Sequence, residues 1–370
     1  MPRDMEVVPF LDLKPAYEAS REAIDRALAR VAASGWYLLG EELKHFEAEF
    51  AAYCGAAYCA GVGNGLDALQ LGLRALGVGH GDEVIVPSAT FIATWLAVSA
   101  VGAKPVPVEP DPRTFNIDPS RIEAAITPRT RALMPVHLYG QPADMDAINA
   151  IAQRHGIMVL DDCAQAHGAR YKGRPVGSLA PLSAWSFYPG KNLGAMGDGG
   201  AITTRDGKLD DQMRMLRNYG SREKYRNEVK GVNSRLDEIQ AAVLSAKLQQ
   251  LDALTAQRRA IAARLLDGLS GASVTLPHVP EWAEPSWHLF VVRHPDRDAL
   301  RTRLDEAGIS TLIHYPVPPH LQAAYGELGY ATGDLPITEA IHREVLSLPM
   351  WPGMTEAQVD RVIDAVRRCA

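Results

Sequence analysis

The sequence predicts an α/β fold, a mostly parallel sheet flanked by helices and followed by a smaller C-terminal α+β domain. Three observations carry this reading. Short apolar runs alternate with segments of helical periodicity over much of the first 200 residues, the pattern that builds a parallel sheet with right-handed crossovers. Met158-Val159-Leu160-Asp161-Asp162 and the stretch from Ser183 to Asn192 read as strands of one sheet, the first ending in carboxylates and the second running into Lys191. At 370 residues the chain is also too long for one ordinary core, so a large domain is set at 1–250 and a small one at 251–370.

Taken in order, Ile24, Leu28 and Val31 recur at helical spacing from Tyr17 to Ala33, and Ser34-Gly35 ends the pattern. A second helix, about Glu41 to Tyr53, leads to the strand-like Tyr58-Cys59-Ala60-Gly61-Val62. Gly63-Asn64-Gly65 and the periodic run Leu66 to Leu76 follow. A strand, a glycine turn and a helix form an anion site in outline, because free amides and the positive helix end converge. Leu66 stands where the third glycine of GxGxxG belongs, which weakens a reading as a dinucleotide fingerprint. Glu83 to Pro87 is a buried strand, Ser88-Ala89-Thr90-Phe91 starts a helix to about Val101, and Lys104 to Val108 and Ala132 to Val136 are strands. A helix near Ala143 to His155 precedes the strand ending at Asp162.

Beyond Lys191, Gly197-Asp198-Gly199-Gly200 turns into Ala201 to Thr204, an expected edge strand. Ser234 is expected to cap a long helix. A helical pattern resumes at Ala253 and runs out around Gly268 and Gly271. In the small domain, Trp287 to Val292 and Ser310 to Ile313 read as strands, Arg297 to Ala307 and Thr355 to Arg368 as helices.

Composition excludes several classes of function. Hydrophobic residues make up 47% and charged residues 22% of the chain, values of an ordinary globular protein. The net charge of −6 and the lack of a basic tract give nucleic acid or an anionic membrane nothing to bind. Four cysteines form no CxxC pair and no metal-ligand spacing, which fits a reducing compartment and no metal. Cys163 reads as a small buried residue. Met1 to Glu6 is polar and does not read as a signal peptide, and no run reaches the roughly 18 apolar residues of a membrane span. The expected location is cytoplasmic.

A buried acid and a buried amine beyond the carboxyl ends of parallel strands suggest pyridoxal 5'-phosphate (PLP), which needs a lysine for its carbonyl and a carboxylate for its ring nitrogen. The motifs Asp162-Cys163-Ala164-Gln165, Ser186-Phe187-Tyr188-Pro189-Gly190-Lys191-Asn192 and Gly197-Asp198-Gly199-Gly200 resemble those of the nucleotide-sugar aminotransferases of the DegT/StrS type. Agreement extends from Val8-Pro9-Phe10 to His314-Tyr315-Pro316. The resemblance implies the aspartate-aminotransferase fold (PLP fold type I) and catalytic roles for Lys191, which would bond the cofactor, and Asp162, which would pair with its ring nitrogen. Because neighbouring strand residues face opposite sides, Asp161 is then structural. Phe91 and Gln165 would cover the two ring faces. Asn64, Gly65 and Ser186 would hold the phosphate, joined by Asn233 from a neighbouring subunit, so the resemblance also implies a homodimer with shared sites.

The segment Leu312 to Leu321, together with Arg217 to Ser221 and Lys224-Tyr225, resembles the 3-aminotransferases more than the 4-aminotransferases. The expected substrates are therefore L-glutamate and a dTDP-linked 3-keto-6-deoxyhexose, with Tyr188, Tyr219, Tyr315 and His320 as sugar contacts. A 4-keto-sugar aminotransferase and a non-catalytic regulatory relative are the alternatives. A dehydrating relative would carry histidine at the position of Lys191. A sugar-nucleotide dehydrogenase would need an N-terminal fingerprint where this chain has a helix.

Overall fold

A computed structural model describes residues 7–370; the stretch read as lacking a signal peptide, Met1 to Glu6, lies outside them. Seven strands form the central sheet: β1 (Tyr58–Val62), β2 (Glu83–Pro87), β3 (Lys104–Val108), β4 (Thr130–Leu133), β5 (Met158–Asp162), β6 (Leu182–Ser186) and β7 (Gly200–Thr204). Their order is β1-β7-β6-β5-β4-β2-β3. Only β7 runs against the others, so the carboxyl ends of β1, β2, β4, β5 and β6 share one edge. That edge is where ligands collect in such sheets.

Helices cover both faces. On one, α2 (Glu41–Cys54) and α5 (Met145–His155) pack over Val159, Trp185 and Ala201, with Phe46, Phe50 and Phe187 at the centre. On the other, α3 (Gly65–Ala75) and α4 (Ala93–Ala100) pack over Leu160, Ala184 and Ile202. Both faces of β5 and β6 are buried, which is why these strands read as continuous apolar runs. Further along lie α6 (Gly207–Arg217), α7 (Glu238–Leu248) and α8 (Leu251–Gly268). A separate cluster joins Ile261 and Leu265 of α8 to β8 (Phe290–Arg293), α9 (Arg297–Glu306), β9 (Val345–Leu348) and α11 (Glu356–Cys369). Between β8 and β9 in this region, α10 is Pro336–Glu344.

Four expectations are corrected. The strand at Ala201 to Thr204 is not an edge, since β1 pairs outside it. Ser88 to Phe91 precede the helix, which starts at Ala93; the Ser88 amide and hydroxyl both donate to the Val108 carbonyl, tying that segment to β3. Ser234 caps no helix: α7 begins after Asp237, and the Ser234 hydroxyl instead accepts the Gly63 N–H at 2.9 Å and donates to Asp67. Ser310 to Ile313 is not a strand: Leu312 makes an isolated bridge to Ser347, and Ile309, just before the segment, makes one to Val8. No helix among the described residues is long and apolar enough to cross a membrane.

Candidate active site

Asp162 closes β5 and is almost fully buried. Burial raises its pKa, opposed by the Ala164 N–H at 3.1 Å, the charge of Lys191 and the Thr94 hydroxyl at 3.1 Å. These donors aim at the charged form, so the carboxylate is prepared for a cationic partner. Thr94 lies on α4, and the hydroxyl of Thr90, in the segment before the helix, is 3.0 Å away.

Lys191 sits on the loop beyond β6. Its N–H closes a turn onto the Tyr188 carbonyl at 2.8 Å, and Ala195 N–H returns to the Phe187 carbonyl at 2.8 Å. A side chain at Gly194 would meet the Pro189 carbonyl oxygen at 2.3 Å, so only glycine lets the loop close this tightly. Asn192 anchors it further by donating to the Ser286 carbonyl at 2.9 Å. Burial pushes the Lys191 ammonium down to about 8, with Asp162 opposing the shift. An amine in this range is available unprotonated near neutral pH, as a nucleophile or proton carrier must be. Burial also lowers the neighbouring imidazoles of His314, to about 4, and His167, to about 3, with the Lys191 charge second in each case. The pocket wall therefore adds no competing cation.

Gln165 is buried between two tyrosines. Its Oε1 accepts the Tyr139 N–H at 2.7 Å and its Nε2 donates to the Tyr315 hydroxyl at 3.0 Å. The Tyr139 hydroxyl in turn donates to the His314 carbonyl. The Phe91 ring stands 5.1 Å from that of Tyr315 and is half exposed.

The start of α3 meets the ends of β6 and β7. Asn64 caps the helix by accepting the Asp67 N–H at 2.9 Å. A Cβ on Gly65 would lie 2.6 Å from Ser186 Cβ, and one on Gly200 would lie 2.4 Å from the Asn64 carbonyl. Two glycines thus let the helix N-terminus press against the strand ends, where its first amides have no intrahelical partners. The donor set fits PLP: a phosphate cradle of Asn64, Gly65 and Ser186, an unpaired amine and a buried carboxylate on the same edge.

Other expected residues face solvent in the single chain. Tyr188 and Tyr219 are 60% and 51% exposed, and Asn233 is exposed beside a bridge to Asn218. His320, the fourth expected sugar contact, is buried in this chain. Its side chain has no exposed surface and faces Glu339 at 3.4 Å and the Tyr330 ring. Thr94, Tyr139 and His314 were not singled out from sequence; the spacing of Thr90 and Thr94 at one helical turn was the available signal.

Residues 18–367 match the DegT/DnrJ/EryC1/StrS aminotransferase family. The chain belongs to that family. It is 58% identical over 98% of its length to dTDP-3-amino-3,4,6-trideoxy-alpha-D-glucose transaminase of Streptomyces venezuelae, covering 96% of that protein. The crystal structure of S. venezuelae DesV in complex with a ketimine intermediate superposes with a TM-score of 0.97 at 58% identity, over 98% of both chains. NtdA of Bacillus subtilis with bound cofactor PMP superposes with a TM-score of 0.92 at 34% identity, over 100% of this chain and 86% of that one. This member of the family is an aminotransferase with the mostly parallel, helix-flanked sheet expected of it.

Proposed function

We propose that this aminotransferase moves the amino group of L-glutamate to C3 of a dTDP-linked 3-keto-6-deoxyhexose, with PLP as cofactor. The observation that carries the reading is the convergence of an unprotonated-prone Lys191, a buried Asp162 and the Asn64–Gly65–Ser186 cradle on one sheet edge. The choice of C3 rests on the resemblance of Leu312 to Leu321 and on the substrate printed in the name of the S. venezuelae relative. When bound, PLP supplies a carbonyl carbon that takes up the amine and a ring that absorbs the charge left when the neighbouring proton departs.

The chain's own residues do the rest. Lys191 Nζ would hold the cofactor through its carbonyl carbon, and as an amine whose pKa burial lowers to about 8 it would serve to take up and return a proton. Asp162 holds a proton on the ring nitrogen, and Thr94 and the Ala164 amide keep its carboxylate aimed. Phe91 and Gln165 confine the ring from its two faces. Asn64, Gly65 and Ser186 bind the phosphate, a dianion that is costly to bury without donors. Tyr188, Tyr219 and Tyr315 orient the sugar.

The site is completed across a homodimer, with Asn233 of the partner subunit reaching the phosphate. Support comes from the exposed apolar side chains Trp36, Tyr37, Leu38, Met196 and Ile239, which a partner subunit would cover. The enzyme is cytoplasmic, and it divides into domains at 1–250 and 251–370, the gap between α7 and α8 falling at Gln249 and Gln250. The test supplies purified protein, PLP and glutamate with the 3-keto and 4-keto dTDP-sugars in parallel and follows 2-oxoglutarate. Turnover of the 3-keto sugar is expected. Preference for the 4-keto isomer overturns the C3 assignment alone, and release with neither overturns the sugar assignment.

A further inference from the structure

Directly behind the site lies a second polar cluster that the reaction does not use. His137 and Asp161 have no exposed side-chain surface, and their ligand atoms lie with Cys163 Sγ within 4.8 Å of one another. Asp161 leaves β5 on the face opposite Asp162. Its Oδ2 is 3.1 Å from His137 Nε2. The other ring nitrogen, Nδ1, accepts the Ala143 N–H at 3.0 Å. An imidazole that accepts there carries its proton on Nε2 and donates it to Asp161. The Cys163 thiol is pushed up by burial and then by the charge of Asp161, so it too stays neutral.

The Asp161 carboxyl thus faces a neutral imidazole N–H, and its Oδ1 accepts no hydrogen bond. Leaving its charge buried is expensive unless a cation stands nearby. The backbone ties this cluster to Asp162. His137 N–H donates to the Asp162 carbonyl at 3.1 Å and Asp162 N–H to the Pro135 carbonyl at 2.8 Å, so the His137 segment grips the residue bearing the ring-nitrogen partner. Two residues on, Tyr139 N–H holds Gln165.

We propose that Asp161, held by His137, is a positioning residue that fixes the end of β5 and adds a second negative charge behind Asp162, so that a protonated ring nitrogen is retained. The inference rests on the reading of Asp162 as the ring-nitrogen partner. Asp161→Asn is nearly isosteric and keeps an oxygen for His137 Nε2–H while removing the charge.

The probe is PLP labelled with nitrogen-15 in the ring, added to apo protein at neutral pH. Ring-nitrogen shift, dissociation constant by tryptophan quenching and apo melting temperature are measured for wild type, Asp161→Asn and Asp162→Asn. For Asp161→Asn the shift moves toward the unprotonated value and affinity falls about tenfold, matching roughly one pKa unit at the ring nitrogen. Apo melting is not lowered, since a buried charge has been removed. His137→Gln, which keeps a donor toward Asp161, stays closer to wild type than His137→Asn. If Asp162→Asn moves the shift and Asp161→Asn does not, this inference falls and the Asp162 reading stands; if neither moves it, the Asp162 reading falls and takes this one with it. Equal losses in both His137 variants, with lowered apo melting, also overturn it.

Discussion

Gly65→Ala tests the phosphate cradle at the position where one methyl group matters most. The new Cβ would stand 2.6 Å from Ser186 Cβ, against 3.4 Å where ordinary contact begins, leaving 0.8 Å to be made up. Neither side yields easily. Ser186 ends a strand paired to Gly200, and Gly200 itself touches the Asn64 backbone so closely that a Cβ there would meet it at 2.4 Å. Overpacking of this kind costs roughly 1–3 kcal/mol, and replacing glycine within a helix returns at most about 1 kcal/mol. With the full return the expected net loss is therefore about 0–2 kcal/mol, seen as a melting temperature lower by up to a few degrees. The effect on function is larger than the effect on stability, because an error near 1 Å in an anchored group can cost about 100-fold in rate. PLP binding to apo protein, thermal melting and turnover are measured together, with Gly79→Ala as control, since no atom lies within 4 Å of a Cβ there. A Gly65→Ala enzyme with wild-type PLP affinity and turnover would refute the cradle.

Lys191→Ala is expected to bind PLP without turning over, and full activity in that variant would remove the central residue of the proposal. In the apo enzyme the Lys191 pKa lies below its ordinary value, so between about 8 and 10.5 the unfolded chain binds the extra proton and stability rises with pH; Lys191→Met should flatten that rise in urea titrations. Thr94→Val removes a hydroxyl donor to Asp162 and should weaken PLP binding by about 1–3 kcal/mol, the worth of a hydrogen bond to a charged group, with unchanged affinity counting against the contact. Mixing Asn233→Ala with Lys191→Ala subunits should restore activity through heterodimers holding one intact site, and a fully active monomer in sedimentation would defeat the shared site.

The residues that were legible in the sequence are those whose role is set locally. Asp162 and Lys191 end or follow apolar runs that only a doubly covered strand requires, and Gly65 follows a strand and opens a periodic helix, so pattern and chemistry coincide. Residues whose role depends on a distant partner were not legible. Ser234 has the composition of a helix cap, yet its hydroxyl is held by Gly63 and Asp67, more than 160 residues away in the chain. Ser310 to Ile313 has strand composition, but β9 is already paired with β8, and only the Leu312–Ser347 bridge forms on its other side.

His320 and Tyr315 show how residues of one motif take different surroundings. The prolines around Val317 do restrict the backbone, as the sequence implies, but restriction says nothing about direction. Direction is decided by Glu339, on a helix 19 residues further along, which offers the imidazole a buried carboxylate at 3.4 Å. The same segment sends Tyr315 the other way, to Gln165 at 3.0 Å. Neighbouring residues of one motif therefore divide between core and site according to which partner the tertiary fold supplies. Substrate discrimination in this region should accordingly respond to Tyr315→Phe in KM and kcat, while His320→Gln acts through stability alone; an altered sugar preference in His320→Gln would return that residue to the site.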